Sequence, residues 1–329
     1  MKKGIKAVLL LSGGLDSILA GKILQNQGID VYAFHATTPF FSCNSAIEIA
    51  KSLSIPIKLF SLKDEYLEIV KHPKHGWGKG INPCIDCRIL LFKKAKEFME
   101  EIGAKFLITG EVLGQRPMSQ NLKALKTIEE EAGVCGLVLR PLSAKFFPPT
   151  LAEKQAWVER EKLLDIKGRT RKRQFELAKK YNIQSYACPA GGCLLTDPVL
   201  SKRFKDAILH NEFTMQNIPL LKTGRHFRIE GEHFIVGRNE GECVFLKKYK
   251  GKYTLFEARD FPSATGLLLK NPPPELWQGI IKTASSIILR YGKAKQGKGV
   301  VRAFLPNGSV IEIEANAISQ EILQCLKIS

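Results

Sequence analysis

A short loop near the start of the chain carries residue types that suit phosphate binding. Residues 12–17 read Ser-Gly-Gly-Leu-Asp-Ser and lie between an apolar run and a helical pattern. Glycines let the backbone approach an anion closely, and the free N–H groups and dipole of a helix start attract negative charge. The Gly-Lys-Ser/Thr ending of the Walker loop is absent, so this is a different phosphate cradle. Asp16 would repel phosphate unless Mg²⁺ lay between them, and the alternative is an ordinary turn in which Asp16 caps the helix.

Four of the eight cysteines form two pairs that are far apart in the sequence: Cys84 with Cys87, and Cys188 with Cys193. The first pair starts an expected helix, whose dipole should lower the pKa of both thiols. Three kinds of site are compatible with the pairs: a redox pair at Cys84 and Cys87, a structural zinc on all four thiolates, or an iron–sulfur cluster on three. Four buried structural cysteines are the plain alternative. We expect the other four, Cys43, Cys135, Cys243 and Cys325, to be core or surface residues.

The charge of the chain points to a polyanionic partner. Its 329 residues carry a formal net charge of +18, with an isoelectric point near 9.5. Such an excess favours nucleic acid, although a lysine-rich solvated surface has the same composition. No apolar run is long enough to cross a bilayer, and residues 12–16 interrupt any signal-peptide core. We therefore expect a cytoplasmic protein with no membrane partner, whose cysteines serve metal or sulfur chemistry more than disulfides.

Short apolar strands alternate with helices in the first half of the chain. The pattern predicts strands at 5–11, 30–35, 57–61, 105–109 and 137–139, and helices at 16–27, 46–53 and 85–102. This alternation indicates an α/β fold with a doubly wound parallel sheet. Ligands of such sheets bind at the carboxyl ends of the strands, which is where Ser12 and Thr109 fall.

The pattern changes in the second half. Residues 150–181 are expected to be helical and polar, starting from a capping box at Thr150 and Glu153. Within them, the basic run 167–173 is either a solvated helix face or a surface that follows a phosphate backbone. Residues 222–260 form short stretches of alternating polar and apolar residues separated by glycines, which predicts β-hairpins. A helix and a strand pair should follow the prolines at 272–274. We expect two domains, residues 1–200 and a smaller α+β domain of residues 201–329.

Two motifs resemble those of the N-type ATP pyrophosphatases, also called the PP-loop family. Residues 12–17 resemble its pyrophosphatase loop, and residues 109–120, TGEVLGQRPMSQ, resemble the TGESLGQ…SQ stretch of 4-thiouridine synthases. Residues 139–142, LRPL, are similar to those enzymes as well, whereas Arg116 and Pro117 depart from the pattern. The resemblance implies a site for ATP and Mg²⁺ whose residues are Ser12, Gly13, Gly14, Asp16, Ser17, His35, Thr109, Gly110, Glu111 and Gln115.

The cysteine segments resemble those of tRNA 2-thiouridylases. Residues 82–87 are similar to their NPDxxC stretch, with Cys84 where an aspartate is usual, and residues 192–195 to their second-cysteine segment. In these enzymes and the 4-thiouridine synthases such cysteines bind a cluster or carry a persulfide. The resemblance therefore implies that Cys84, Cys87 and Cys193 are catalytic ligands of an iron–sulfur cluster of the 4Fe–4S type, with zinc as the alternative. Cys188 would be a fourth ligand, a persulfide carrier or a bystander.

Arginines alternate with aromatic residues and glycines in the second half. Such turns suit phosphates and unpaired bases, and the run GRHFR…VGRNEGE resembles an RNA-binding module of the NFACT-R type. The alternative is a small β-domain whose arginines pair with Glu230, Glu240 and Glu242. His210, His226 and His233 lack metal-ligand spacing. The residues expected to contact RNA are Arg169, Arg171, Lys172, Arg173, Arg225, Arg228 and Arg238.

These resemblances together imply an ATP-dependent tRNA sulfurtransferase. It would adenylate a uridine carbonyl oxygen, with Asp16 acting at the phosphates, and insert sulfur held at the cysteines to give thiouridine. The sulfur donor would be sulfide or a persulfide-carrying protein. The rival hypotheses are a PP-loop synthetase or amidotransferase for small molecules, and an RNA-binding protein without catalysis.

Overall fold

The chain consists of two compact units, Met1–Asp197 and Pro198–Ser329. A computed structural model describes residues 4–41, 45–184, 186, 193–272, 274–293 and 297–328. Two cysteines that the sequence analysis discussed, Cys43 and Cys188, lie outside the described residues. Within the described part of the chain, no helix combines the length and apolar character that crossing a membrane would require.

The first unit is built on a five-stranded parallel sheet. Its strands are β1 (Lys6–Leu10), β2 (Asp30–Thr37), β3 (Ile57–Ser61), β4 (Phe106–Ile108) and β5 (Val138–Leu139). They are arranged in the order β3-β2-β1-β4-β5, and every pairing is parallel. The chain leaves β1 towards β2 on one side and later returns to β4 on the other, which opens a crevice at the carboxyl ends of these strands. The predicted α/β class with a parallel sheet is confirmed.

Seven helices of the described residues accompany this sheet. They are α1 (Leu15–Gln25), α2 (Ser45–Ser52), α3 (Asp64–Lys71), α4 (Cys84–Glu101), α5 (Leu122–Ala132), α6 (Leu151–Lys154) and α7 (Lys172–Lys180). The sequence predicted α1, α2 and α4 to within two residues at their ends. It missed α3 and α5, although both bury residues at helical spacing, such as Tyr66, Leu67 and Val70 in α3.

Residues 150–181 are less helical than expected. The Glu153 carboxylate accepts a hydrogen bond from the Thr150 N–H at 2.8 Å, yet α6 ends after one turn. Trp157 then stacks against Phe106, and Val158 is buried in the core of this unit. The predicted capping box and the helical character of 172–180 are confirmed, whereas the prediction is wrong between α6 and α7, where these apolar side chains hold the backbone along the core.

The second unit contains a separate antiparallel sheet, in agreement with the predicted α+β class. Its strands are β6 (Arg225–Ile229), β7 (Glu232–Val236), β8 (Thr254–Ala258), β9 (Gly266–Leu268), β10 (Lys298–Phe304) and β11 (Val310–Asn316). They pair in the order β11-β10-β8-β9-β7-β6. The helices are α8 (Pro198–Leu209), α9 (Ile218–Leu221), α10 (Glu240–Lys247), α11 (Pro274–Arg290) and α12 (Gln320–Leu326). β6 and β7 form a predicted hairpin, whereas α10 occupies part of 222–260, where only hairpins were expected.

The core of the second unit leads to a prediction about Gly266. A Cβ at this position would lie 2.4 Å from Phe234 Cζ and 2.8 Å from Ile288 Cδ1, and both of these side chains are fully buried. We expect Gly266→Ala to cost about 1–3 kcal/mol through overpacking and to lower the midpoint of thermal unfolding. Gly241→Ala is the control, because its nearest neighbour is 3.6 Å away and alanine favours a helix. Equal midpoints for the two variants would contradict this description of the core.

Candidate active site

The loop between β1 and α1 leaves a helix start open. Gly14 occupies the N-cap position and no side chain caps the helix, so the hypothesis that Asp16 is the cap is wrong. Gly13 has φ +80°, a conformation that favours glycine. The Ser17 hydroxyl donates to the Gly14 carbonyl at 2.7 Å and fixes the turn. The first N–H groups of α1 therefore remain available to an anion.

A cavity of about 530 Å³ lies at this helix start, at the carboxyl ends of β1, β2 and β4. That volume falls within the range of small-molecule sites. The residues predicted for ATP that line it are Ser12, Gly14, Asp16, Ser17, His35, Thr109, Gly110, Glu111 and Gln115. Gly13 is not among the lining residues and shapes the loop instead.

Gly110 brings the loop after β4 against the loop after β1. A Cβ at Gly110 would lie 2.4 Å from the backbone carbon of Asp16 and 2.4 Å from the backbone nitrogen of Ser17. Backbone atoms cannot give way at such a distance, so a side chain is excluded. This contact explains why a glycine follows Thr109 in the motif.

Asp16 is held by two side chains from distant parts of the sequence. Gln115 Nε2 donates to Asp16 Oδ2 at 2.8 Å, and Arg171 Nη2 donates to Asp16 Oδ1 at 3.2 Å. Arg171 lines the cavity, and its Nε is buried without a hydrogen-bond partner among the described residues. The sequence predicts that Arg171 contacts RNA, and the structure places this residue in the lining of the cavity.

The backbone of the basic run explains the position of Arg171. Gly168 N–H donates to the Leu113 carbonyl at 2.7 Å, which fastens the run to the motif loop after β4. Since α7 begins only at Lys172, the hypothesis of a helix face over 167–173 is wrong. Arg169, Lys172 and Arg173 remain exposed.

Glu111 is a buried carboxylate within an ion-pair network. Arg140 Nε donates to Glu111 Oε2 at 3.1 Å, and the Thr109 hydroxyl donates to the same oxygen at 3.2 Å. The other oxygen, Oε1, has no hydrogen bond and lies 3.6 Å from Arg88 Nε. Arg140 comes from the LRPL stretch, so this motif supports the cavity through Glu111. Sequence reasoning missed Arg88, which lines the cavity.

His35 presents an unsatisfied ring nitrogen at the end of β2. Its Nδ1 lies 2.7 Å from the Leu11 carbonyl oxygen, so Nδ1 carries the proton in the neutral ring. Its Nε2 is buried and has no partner among the described residues. A ligand in the cavity can therefore donate a hydrogen bond to it.

The three predicted sulfur ligands are neighbours in the structure. Cys84 is the first residue of α4 and Cys87 lies in its first turn. The Ile81 N–H donates to the Leu195 carbonyl at 3.0 Å, which holds the segment after Cys193 beside the loop that precedes α4. Cys84 and Cys193 both raise the pKa of Cys87 electrostatically, which confirms their proximity. Residues far apart in the sequence thus converge here.

The pKa values of the three thiols are higher than the sequence predicts. Burial raises the pKa of Cys87 to about 11, although the nearby Tyr66 hydroxyl and the charge of Arg88 both lower it. Burial raises the pKa of Cys84 and of Cys193 as well. The expectation of depressed thiol pKa values is wrong because desolvation outweighs the helix dipole.

Two arginines connect the thiols with the cavity. Arg88 and Arg116 line the cavity, and both lower the pKa of Cys84. Arg116 is an exposed residue, but neighbouring groups shield its guanidinium from water and thereby lower its pKa. Repulsion from Arg88 lowers this pKa further. Two adjacent guanidinium groups favour the binding of an anion between them.

The sulfur atoms of Cys84, Cys87 and Cys193 lie farther apart than the ligand atoms around a four-coordinate zinc ion. Tetrahedral zinc, with Zn–S bonds of about 2.3 Å, holds its sulfurs within about 4 Å of one another. Among the described residues, the one group of three ligands with donor atoms within 4.8 Å of each other is Asp206, Glu212 and His233. Three thiols with raised pKa values fit a group that supplies positive charge, because a coordinating metal deprotonates its thiol ligands.

The Asp206, Glu212 and His233 group is filled by Arg228. This arginine donates to Glu212 Oε2 at 3.0 Å and also pairs with Asp206, while His233 Nδ1 lies 2.8 Å from Glu212 Oε2. Burial would raise the pKa of Glu212, but the hydrogen bonds from His233 and Arg228 hold it at about 2. The guanidinium of Arg228 already pairs with these carboxylates, and its positive charge would repel a metal ion. Arg228, which the sequence predicts to contact RNA, is paired with Glu212 and Asp206 in the structure.

Comparison with known proteins agrees with the two halves of the structure. Residues 3–145 match the family model of the thiamine biosynthesis protein (ThiI), and residues 224–324 match that of the NFACT protein RNA binding domain. The predicted resemblance to PP-loop thiouridine synthases is confirmed. The predicted resemblance of the second unit to the NFACT type is confirmed too. The segment that matches the ThiI model includes residues 12–17, Cys84, Cys87 and Glu111.

The chain is similar to part of several larger relatives. A probable tRNA sulfurtransferase of Lysinibacillus sphaericus is 32% identical over 142 residues, which is 42% of this chain and 34% of that protein. One of Staphylococcus aureus is 31% identical over 150 residues, again 42% and 34% of the two chains. A 4-thiouridine synthetase solved with RNA and ATP is 23% identical, with a TM-score of 0.37, over 67% of this chain and 52% of that one. The chain thus spans about a third of the length of these sulfurtransferases.

The raised pKa of Cys87 leads to a prediction about its reactivity. Because the thiolate is the nucleophile, Cys87 of the metal-free chain should react slowly with iodoacetamide at neutral pH. Its labelling relative to the exposed Cys135 should rise as the pH approaches about 11. Peptide mass spectrometry of timed samples measures this ratio, and a ratio that stays constant with pH would contradict the assigned burial.

Proposed function

We propose that this chain is an ATP-dependent tRNA thiouridine synthase. The observation that carries the proposal is the position of Cys84 beside Arg88 and Arg116, two cations that line the nucleotide cavity. A nucleotide in that cavity would lie next to the three thiols. The relatives named as tRNA sulfurtransferases support the same activity for the ThiI-like segment.

We assign the cavity to ATP. The open start of α1 and Gly14 would bind the phosphates, while Gly13 shapes the loop. His35 Nε2 would accept a hydrogen bond from the adenine amino group. Mg²⁺ would bind at Asp16 and supply charge neutralisation for the phosphates. Because Arg171 already pairs with Asp16, we propose that it turns to the phosphates when ATP binds.

The proposed reaction activates a uridine and then replaces its oxygen. The uridine carbonyl oxygen forms a bond to the α-phosphorus as the bond from that phosphorus to pyrophosphate breaks. Hydrosulfide then forms a bond to the ring carbon, and the carbon–oxygen bond breaks so that the oxygen leaves within AMP. No net oxidation occurs when sulfur arrives as sulfide, and a persulfide-carrying donor needs a thiol reductant as well. Arg88 and Arg116 would stabilise the negative charge that develops on the phosphates.

We assign the sulfur site to Cys84, Cys87 and Cys193. An iron–sulfur cluster of the 4Fe–4S type would supply the positive charge that keeps these buried thiols deprotonated, together with a position for incoming sulfide. Tyr66 would donate its hydrogen bond to Cys87 in that state. Cys188 lies outside the described residues and is proposed as a further ligand or carrier.

We propose tRNA as the substrate and each compact unit as a separate domain. The net charge of +18 and the NFACT match of residues 224–324 support RNA binding. The exposed residues Arg169, Lys172 and Arg173 would contact phosphates in the first domain.

The role of Arg171 gives a direct test of the ATP site. Arg171→Ala should lower the rate of AMP and pyrophosphate formation about tenfold or more, since a charge-assisted hydrogen bond is worth about 1.5–3 kcal/mol. The matched control is Lys126→Ala, an exposed cation of α5 outside the cavity lining and the proposed RNA contacts, which should keep the rate. Formation of AMP should require tRNA. Turnover without RNA would favour a small-molecule synthetase, and RNA binding without any turnover would favour a non-catalytic protein.

The sulfur site is tested by metal analysis. We expect protein purified without oxygen to contain iron and acid-labile sulfide and to absorb visible light. Cys84→Ala should lose both the colour and the iron, whereas Cys135→Ala, at an exposed cysteine, should keep them. One equivalent of zinc with no iron would contradict the cluster.

A further inference from the structure

We infer that a cavity within the second unit binds one unpaired nucleotide of the RNA substrate. It has a volume of about 450 Å³ and lies between Arg225, one side of α10, the turn at 263–265 and Tyr291. The identity of the RNA as tRNA rests on the proposed function. The cavity itself is separate from the ATP site, because every residue that lines it belongs to the second unit.

Two glycines of the GRHFR…VGRNEGE run create this cavity. Gly224 has φ +85°, and a Cβ there would lie 2.7 Å from the Val236 carbonyl oxygen. A Cβ at Gly237 would lie 2.7 Å from Cys243 Sγ, so α10 packs closely against the end of β7. These contacts place the start of α10 opposite Arg225.

Arg225 and Tyr291 form a flat cationic surface in the cavity. The guanidinium carbon lies 4.5 Å from the centre of the Tyr291 ring, and Nη1 donates to the Gly237 carbonyl at 3.2 Å. Its remaining N–H groups have no hydrogen bond to any described residue. Stacked guanidinium and aromatic planes are the surfaces on which unpaired RNA bases pack.

The other two arginines predicted for RNA in this unit are already paired. Arg228 is held by Glu212 and Asp206, as described above. Arg238 Nε donates to Glu242 Oε1 at 2.9 Å, so its charge is compensated at the cavity edge. Arg225 is therefore the arginine of the three whose charge is not paired with a carboxylate within the described part of the chain.

The remaining lining suits a nucleotide with its phosphate near Arg225. The Asn239 side chain caps α10 by accepting from the Glu242 N–H at 3.0 Å, and the first N–H groups of this helix are open. Lys247 also lines the cavity, where it pairs with Glu257 at 2.8 Å. Glu240 is exposed at the edge, and its carboxylate can accept a hydrogen bond from a base N–H such as N3–H of uracil.

Ultraviolet cross-linking of the full chain tests the inference. The probe is a short single-stranded oligouridine that carries one 5-bromouridine, and mass spectrometry identifies the modified peptide. The expected adduct lies on the peptide of Tyr291. It should disappear in Arg225→Ala and in Arg225→Lys, because lysine keeps the charge without the plane. Lys248→Ala, an exposed cation outside the cavity lining, is the matched control and should keep the adduct.

Affinity gives the second readout. Loss of a stacked base should weaken binding of the oligouridine by about 5- to 100-fold in both Arg225 variants. An adduct elsewhere, or unchanged affinity in both variants, would overturn the inference, and so would displacement by equimolar uridine monophosphate, which indicates a free-nucleotide site. ATP turnover is measured separately. Absence of AMP formation while the cross-link persists would reject the proposed function and leave the pocket standing.

Discussion

Arg88 extends from the first turns of α4 with different partners on its two sides. Its Nε lies 3.6 Å from Glu111 Oε1 at the nucleotide cavity, and its charge lowers the pKa values of Cys84 and Cys87. Residues at positions i, i+3 and i+4 share one side of a helix, so Cys84, Cys87 and Arg88 must move together. Under the proposed function, this arrangement would fix the distance between the sulfur and the nucleotide.

Burial raises the free energy of the charged forms of the groups in this arrangement. Desolvation disfavours the thiolates and the charged form of Arg116. Arg171 and Asp16 form an ion pair in the cavity. Under the proposed function, phosphate on one side and a metal on the other would supply the opposite charge that these groups need.

Local motifs could be predicted from the sequence, whereas long-range contacts could not. Residues 12–17 and the cysteine segments could be singled out because each motif lies within a few residues. The position of Arg171 in the cavity could not be predicted because the backbone pairing of Gly168 with Leu113 sets it. The ion pairs of Arg228 could not be predicted because its partners Glu212 and Asp206 follow from tertiary packing. The thiol pKa values were wrong for a related reason, since burial is a property of the whole fold.

The central claim is that these cysteines deliver sulfur to a uridine that ATP has activated. The most direct measurement is nucleoside mass spectrometry of an unmodified tRNA transcript after anaerobic incubation with the full chain, ATP, Mg²⁺ and sulfide. The account predicts a nucleoside in which one oxygen of uridine is replaced by sulfur, formed only with ATP and absent with Cys193→Ala. Thiouridine formed equally well by that variant, or AMP release with no thiolated nucleoside, would contradict it.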